Sequence, residues 1–277
     1  MPNGTLLIGY DVEHADRQIT GQFLRTVVGA HDTLGVPATL FVVGRTLEAN
    51  REQFRSMAQH PLFDIQQHTY SHTLLKTVCM EKPNGAFELY RGGTLRKIRS
   101  EVQRASALLR DELGIACVGL CGPYGYYRGL MDRPDILEIL HSAGIRFART
   151  YARNERDAQP VSFDVQPFWY DVQGFPDMLE IPLAGWQDVY LRWMYGWTDV
   201  DSYIGQLKRD CAEAARRRAV WSFCTHDWSS IREDSGLRAV RELVSEARAL
   251  DVEILSHRAY YERRVEERRA VAAELTT

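Results

Sequence analysis

The sequence predicts an α/β protein, and a single (β/α) barrel over residues 1–277 is the simplest arrangement. Short apolar runs, each ending in polar residues, alternate with segments of helical apolar spacing. No repeat of fixed period and no low-complexity linker divides the chain. The alternation fails only over residues 151–198, a stretch rich in Trp, Tyr and Pro. A doubly wound open sheet is the alternative arrangement.

Each predicted element rests on its local pattern. Strands are predicted where apolar residues run together, over residues 5–11, 37–44, 62–68, 115–125, 145–150, 178–183, 220–226 and 251–256. Helical spacing predicts helices over residues 19–35, 45–59, 94–114, 133–144, 200–219, 235–250 and 257–277. Gly35 is expected to end the first helix, and Pro134 lies near the start of the fourth. Residues 82–93, which contain Gly and Pro, are predicted to form a loop.

Composition narrows the class of protein. The formal net charge of −3 argues against a nucleic-acid-binding protein, which usually carries a basic excess. No apolar run approaches the roughly 20 residues that span a bilayer, and the first residues lack the basic start of a signal peptide. The five cysteines show no paired C-x-x-C spacing. A disulfide framework is therefore not expected. A cytoplasmic location is expected instead.

Polar residues follow several of the predicted strands. In α/β folds the carboxyl ends of parallel strands meet at one edge, so residues distant in sequence are expected to converge there. The first strand ends in "GYDVEH", whose Asp11 and Glu13 point to the same face in extended backbone. One carboxylate can bind a metal while the other accepts a proton. The alternative is a surface turn with two solvated acids.

Two histidines follow the third strand in "HTYSH". His68 and His72 are spaced i, i+4, so on a helical turn their imidazoles converge. With Glu13 they would form a site of two histidines and one carboxylate, which suits Zn²⁺, Fe²⁺, Co²⁺ or Mn²⁺. Such an ion lowers the pKa of bound water from about 15.7 toward about 7. The alternative is a histidine pair bonded to backbone carbonyls.

Two further segments carry polar groups to the same edge. In "VWSFCTHDW", His226 follows a strongly apolar strand and could protonate a leaving amine, or it is a buried core histidine. Asp227 is expected to orient neighbouring loops or the imidazole. In "CGPYG", a backbone N–H, that of Tyr124, could face a developing oxyanion. The alternative for this segment is a plain turn.

These segments, in this order and with the "ATLFVVG" strand between them, resemble the polysaccharide deacetylase superfamily, the group with the chitooligosaccharide-deacetylase homology domain. The resemblance extends over residues 5–260. It implies a distorted (β/α) barrel of about seven parallel strands, with residues 151–198 as an irregular aromatic-rich insertion. It also implies roles for individual residues: Asp11 as base, His226 as acid, the Tyr124 amide at the oxyanion, and a metal held by Glu13, His68 and His72.

The sequence departs from the family pattern at two positions. Val12 separates Asp11 from Glu13 where adjacent aspartates are common, which resembles a D-x-[DE] branch whose members hydrolyse diverse amides. Cys121 occupies the place of an arginine that supports the base. Either Arg149 or Arg128 replaces that arginine, or the base is tuned differently.

The function expected from these features is hydrolysis of an amide by a bound divalent metal, Zn²⁺ or else Fe, Co, Ni or Mn. The reaction would remove an N-acyl group, acetyl, from an amino sugar or a related small molecule. A deformylase or an allantoinase-like hydrolase of cyclic amides is the alternative, and a binding protein with a degenerate site is a third class. Substrate contacts are expected from Arg149, Trp169, Tyr170 and Trp186, although such rings can equally form core or a homo-oligomer contact.

Overall fold

The computed structural model describes residues 2–82 and 84–274 and contains alternating strands and helices. The strands are β1 (Thr5–Val12), β2 (Ala38–Val42), β3 (Phe63–Gln67), β4 (Val78–Glu81), β5 (Phe87–Tyr90), β6 (Gly119–Tyr127), β7 (Phe147–Arg153), β8 (Phe168–Tyr170), β9 (Phe175–Glu180), β10 (Val220–His226) and β11 (Glu253–Leu255). The helices are α1 (Arg17–Leu34), α2 (Gly44–Ala49), α3 (Arg51–Ala58), α4 (Leu95–Leu113), α5 (Pro134–Ser142), α6 (Asp188–Tyr195), α7 (Val200–Arg217), α8 (Asp227–Arg232), α9 (Arg238–Ala249) and α10 (His257–Glu274).

The main sheet is almost entirely parallel, and its strand order is β10-β1-β2-β3-β6-β7-β9-β8, with β11 beside β1. Only β8 runs antiparallel, against β9. Among the described residues, no hydrogen-bonded pair joins β10 to β9 or β8. The expected α/β architecture with a parallel sheet is therefore confirmed, and a separate hairpin of β4 and β5 adds to it.

Several helix ends follow the predicted capping. The carboxylate of Asp16 accepts a hydrogen bond from the Gln18 amide at the start of α1, and Gly35 ends this helix in the left-handed conformation, at φ 60°. The helix expected over residues 45–59 is divided in two at Asn50. None of the helices in the described ranges is long and apolar enough to cross a membrane.

The two faces of the sheet pack differently. One face contacts the surrounding helices and contributes to a large apolar core. The other face supplies a second cluster from β1, β2, β6, β7 and β9, whose buried members are Leu7, Phe41, Cys121, Phe147, Leu179, Ile181 and Tyr260. Trp169 of β8 and Val220 of β10, from opposite ends of the strand order, pack against this cluster, so the sheet curls around it. Tyr260 is the member of the cluster that α10 contributes.

Two parts of the chain differ from the prediction. Residues 82–93 are not simply a loop, because Phe87–Tyr90 pair with Val78–Glu81 as a hairpin. This hairpin reaches over the carboxyl ends of the strands. Residues 151–198 contain β8, β9 and helix α6 rather than a single strand. Both segments contain Gly or Pro and mix polar with aromatic residues, which hid their periodicity.

Candidate active site

A cavity of about 250 Å³ lies at the carboxyl ends of the parallel strands. The residues that line it are Asp11, Glu13, His68, His72, Met80, Lys82, Tyr90, Cys121, Gly122, Tyr124, Gly125, Arg153, Leu183, Gln187, Val189, Tyr190, Trp193, Cys224, His226 and Trp228. All the residues that the sequence predicted for catalysis or metal binding are among them. The strand register explains this convergence, since Asp11 and His226 are directly paired at the ends of β1 and β10.

Asp11 is buried and forms an ion pair with Arg149, in which Nη2 contacts Oδ1. Arg149 is fully buried, and its Nη2 is also 3.1 Å from the Sγ of Cys121. Cys121 and Arg149 are register partners on β6 and β7. The resemblance led us to expect an arginine at position 121, where this chain has Cys121. Arg149, at the paired position on the adjacent strand, therefore supplies a positive charge beside Asp11. Arg128, the other candidate, is exposed.

The expected role of Arg149 in contacting substrate does not fit this position, because Arg149 lies behind Asp11 and does not line the cavity. Its guanidinium carbon is 4.2 Å from the centre of the Phe41 ring. Gly9 leaves room for it, since a Cβ there would be 2.6 Å from Arg149 Nη1. Burial alone would raise the pKa of Asp11, but the charge of Arg149 and then of His68 holds that pKa below its ordinary value.

Glu13, His68 and His72 form a compact cluster of potential ligands. Glu13 Oε2 is 2.8 Å from His72 Nε2 and 3.4 Å from His68 Nε2. One potential ligand atom from each residue lies within 4.8 Å of the others. Despite burial, the charge of His226 and hydrogen bonds from His68 and His72 hold the pKa of Glu13 well below its ordinary value. The carboxylate is therefore ionised and able to bind a cation.

The orientation of His68 fits a metal ligand. Its Nδ1 is 2.9 Å from the carbonyl oxygen of Cys121. A carbonyl only accepts hydrogen bonds, so Nδ1 carries a proton, and Nε2, which faces Glu13, is the nitrogen that would bind a metal. The other oxygen of Glu13 accepts a hydrogen bond from Trp228 Nε1 at 3.2 Å. Two imidazoles and one oriented carboxylate are a donor set suited to a divalent first-row metal.

The segment that carries His72 is a loop, so the expectation of a helical turn was wrong. Thr69 and His72 both take left-handed backbone conformations, at φ 59°. The carboxylate of Glu101 on α4 anchors the loop by accepting hydrogen bonds from the backbone N–H and the hydroxyl of Ser71, at 2.6 and 2.8 Å. These constraints bring the two imidazole rings to 4.9 Å between centroids.

His226 is held by a carboxylate that the sequence analysis missed. Its Nδ1 is 2.9 Å from Oδ1 of Asp188, at the start of α6. Asp188 is buried and also accepts hydrogen bonds from the Thr225 hydroxyl and the His226 backbone N–H. Burial lowers the pKa of His226, but Asp188, with a smaller effect from Glu13, raises it overall to about 10. The imidazole is therefore protonated at neutral pH, with Nε2 free to donate.

Asp227 has the first of its two expected roles, because it orients a loop rather than the imidazole. Its carboxylate accepts hydrogen bonds from the backbone N–H groups of Glu13 and His14 at 3.3 and 3.2 Å, and from the Thr20 hydroxyl at 2.8 Å. Burial raises the pKa of Asp227 to about 6. The carboxylate thereby fixes the backbone that carries Glu13.

Tyr124 lines the cavity beside His72. The register between β6 and β7 shifts between Cys121 and Tyr126, which takes Tyr124 out of the strand pairing. Its backbone is left-handed, at φ 67°. Its ring lies 5.7 Å from that of His72 and 4.9 Å from that of Tyr90, between centroids. The turn is thus adjacent to the ligand cluster.

The aromatic residues expected to bind substrate lie elsewhere. Trp169 packs against Tyr261 and lies under the guanidinium of Arg268. Tyr170 is buried, donates to Glu180 at 2.6 Å and accepts from the Leu130 amide. Trp186 is half-buried against the apolar core. None of the three lines the cavity.

Other aromatic and charged side chains surround the cavity instead. Tyr90 and Lys82 come from the hairpin, Tyr190 and Trp193 from α6, and Trp228 from α8. In sequence, Tyr190 and Trp193 belong to the aromatic-rich "YLRWMYGW", and Trp228 follows Asp227 at the start of α8. The i, i+3 spacing within "DVYLRWMY" was the signal that would have placed Tyr190 and Trp193 on one face of a helix.

Taken together, the cavity holds an ionised carboxylate beside a buried cation, a three-residue ligand cluster and a protonated imidazole. Potential ligand atoms of Asp11 and His226 lie within 4.8 Å of each other. A proton acceptor and a proton donor therefore flank one small volume beside the ligand cluster. Such an arrangement suits the hydrolysis of an acyl–nitrogen bond.

The comparisons with known proteins agree with this architecture. The family model described as "Polysaccharide deacetylase" matches residues 9–148. A structure from Mycobacterium smegmatis that is assigned to the polysaccharide deacetylases has a TM-score of 0.70 at 19% identity, covering 96% of this chain and 92% of that one. Puue allantoinase has a TM-score of 0.67 at 15% identity, covering 94% and 90%. A family 4 carbohydrate esterase from Streptomyces lividans, in complex with acetate, has a TM-score of 0.51 at 14% identity, covering 92% and 93%.

No curated protein sequence matches the chain significantly. The family model nevertheless defines the class, which is the hydrolases of carbon–nitrogen bonds other than peptide bonds. The chain belongs to the polysaccharide deacetylase family, and it is an enzyme of the deacetylase type.

Proposed function

We propose that this protein is a metal-dependent amide hydrolase that removes an acetyl group from the nitrogen of an amino sugar or a related small molecule. The observation that carries the proposal is the pairing, across one cavity, of Asp11 beside Arg149 with His226 beside Asp188. One pair stabilises an ionised acid and the other stabilises a charged imidazole. The ligand cluster lies beside them.

The proposed roles follow from these environments. Glu13, His68 and His72 would hold the divalent cation, with zinc the first choice among the metals that suit this donor set. When bound, this ion lowers the pKa of water and polarises the amide carbonyl. Asp11 accepts the proton of the attacking water, since its carboxylate is ionised and adjacent. His226 donates the proton on Nε2 to the departing nitrogen, because Asp188 occupies Nδ1.

The backbone N–H of Tyr124 is proposed to donate a hydrogen bond to the oxyanion that forms on the carbonyl. This role is supported by the position of Tyr124 on the cavity wall, outside the strand pairing. The size of the cavity favours a small substrate, because the hairpin and α6 cover part of it. A cytoplasmic location is part of the same proposal, since all five cysteines are free thiols.

A ring-amide hydrolase is the second candidate. The structural similarity to Puue allantoinase favours it, at a TM-score that nearly equals that of the M. smegmatis structure. A panel of N-acetylglucosamine, its N-formyl analogue and allantoin, assayed with the zinc-loaded enzyme, separates these functions. We expect the highest kcat/KM for the N-acetyl compound. Faster hydrolysis of allantoin would assign the second function instead.

The variant Asp11→Asn tests the proposed chemistry. It should retain the metal but lose turnover by about 10²- to 10⁴-fold, the usual contribution of a general base. Metal content, measured by elemental analysis, is the control. Loss of the metal without a rate effect at saturating metal would exchange the proposed roles of Asp11 and Glu13.

A further inference from the structure

Arg153 is a buried arginine at the edge of the cavity that the proposed reaction has not used. It ends β7 and is 2% exposed. Its Nε donates hydrogen bonds to the carbonyl oxygens of Tyr124 and Gly125, at 3.0 and 3.2 Å. One guanidinium nitrogen thus holds two consecutive carbonyls of the turn that carries the proposed oxyanion donor.

This turn needs such support. The backbone of Tyr124 is left-handed, which costs a residue with a Cβ roughly 1–2 kcal/mol. Such a conformation persists only where the surroundings over-determine it. Gly125, also left-handed, allows the turn to approach β7 closely, since a Cβ on it would be 2.2 Å from the Cβ of Ala152. Arg153 is the next residue along that strand, so the turn is fixed from the side of its carbonyls.

The other end of the guanidinium contacts helix α6, which carries Asp188. Nη1 of Arg153 donates to the carbonyl of Asp157 at 2.6 Å and to the hydroxyl of Tyr190 at 3.2 Å. Tyr190 lies on α6, two residues after Asp188, the partner of His226. The nearest carboxylate oxygen, Asp157 Oδ1, is 3.7 Å from Nε. Arg153 therefore connects the Tyr124 turn to the helix that orients the imidazole.

We propose that Arg153 is a positioning residue, which aims the Tyr124 amide at the reacting carbonyl by clamping the Tyr124–Gly125 turn against α6. The inference rests on the proposed function, because it gives the amide a role in the reaction. It predicts that loss of the clamp lowers the rate of the chemical step while substrate and metal still bind.

Arg153→Met keeps the apolar stem and removes all the donors. Its kcat should fall on the order of 10²-fold, since removing or misplacing one oxyanion donor costs about that much. KM and metal content should stay near their wild-type values. Tyr190→Phe removes only one of the contacts and should lower kcat by about 2- to 10-fold, the range expected for one hydrogen bond. Arg156→Met, which changes an exposed arginine in the turn that follows β7, is the matched control.

Chemical rescue separates positioning from general destabilisation. In Arg153→Ala, methylguanidinium at millimolar concentration should restore part of kcat, whereas the same addition should not affect Arg156→Met. A folded Arg153→Met with wild-type kcat, or a loss confined to KM, metal content or melting temperature, would overturn the inference alone. Failure of the wild type to hydrolyse any amide of the panel would overturn the proposed function as well.

Discussion

Replacing Arg149 by methionine removes the guanidinium that is ion-paired with Asp11. The unbranched methionine side chain can occupy the same channel beside Gly9 and Phe41, so the change acts mainly on charge. Asp11 would then be a buried carboxylate whose nearest neighbours are the thiols of Cys121 and Cys224, each 3.5 Å from its Oδ2.

The size of the effect follows from the contact. An opposite charge within about 4–6 Å lowers the pKa of a carboxyl group by about 1–3 units. Arg149 contributes such a shift to Asp11, whose pKa lies below its ordinary value. Since the proposed base must be ionised, the acid limb of kcat/KM should move upward by about 1–3 pH units in Arg149→Met. This equals about 1.4–4 kcal/mol of differential interaction at 1.36 kcal/mol per unit.

Arg149→Met should also lower the stability of the folded protein. A carboxyl group with a depressed pKa in the folded state stabilises the protein above its unfolded pKa of about 3.9, and this contribution is lost as the pH falls through the folded pKa. At neutral pH the variant loses that contribution and leaves a buried charge unpaired, which costs about 3–5 kcal/mol. Thermal unfolding of Arg149→Met should therefore begin at a clearly lower temperature than that of the wild type.

The assay is kcat/KM against pH at saturating metal, with Arg128→Met as the control for loss of an exposed arginine. The double variant Cys121→Arg with Arg149→Ala returns a cation to β6, since the two positions are register partners. It should move the acid limb back toward lower pH. An acid limb that stays in place in Arg149→Met would refute the assignment of Asp11 as the base supported by Arg149.

Two further predictions concern the acid and the packing. Asp188→Asn should lower the pKa of His226 from about 10 toward the ordinary 6.5. The basic limb of kcat/KM against pH should therefore move to lower pH. A basic limb that does not move would contradict the assignment of His226 as the acid. Gly9→Ala should displace Arg149 and destabilise the protein by about 1–3 kcal/mol. Thermal unfolding tests this against Gly29→Ala, whose Cβ would meet nothing within 4 Å, and equal stability of both variants would contradict it.

Much of the site could be predicted because most of its residues lie at the carboxyl ends of strands. Asp11, Glu13, His68 and His226 each lie at or directly after an apolar run, and parallel strands bring such positions to one edge. His72 was predicted by its spacing, although left-handed loop residues rather than a helix bring it to His68. The predicted helical turn was wrong, but the predicted convergence of the two imidazoles was correct.

The remaining residues depend on tertiary contacts that have no local signal. Asp188 lies in a stretch whose sequence pattern is irregular, and its role is shown only by its contact with His226. Trp169 and Tyr170 are aromatic residues on strands, and their composition does not distinguish the cavity wall from the core. Arg149 could be named as a candidate from its strand position, but only the register with Cys121 shows why it can replace an arginine there.

The most direct test of the central claim is a zinc titration of the chelator-treated enzyme, in which bound metal and release of amine from N-acetylglucosamine are measured together. We expect no turnover without metal and a linear rise of the rate that ends at about one equivalent of zinc, because the site is a single three-ligand site. His72→Ala should show neither tight binding nor the rise. Full turnover by the metal-free enzyme, or an unchanged titration in His72→Ala, would contradict the account.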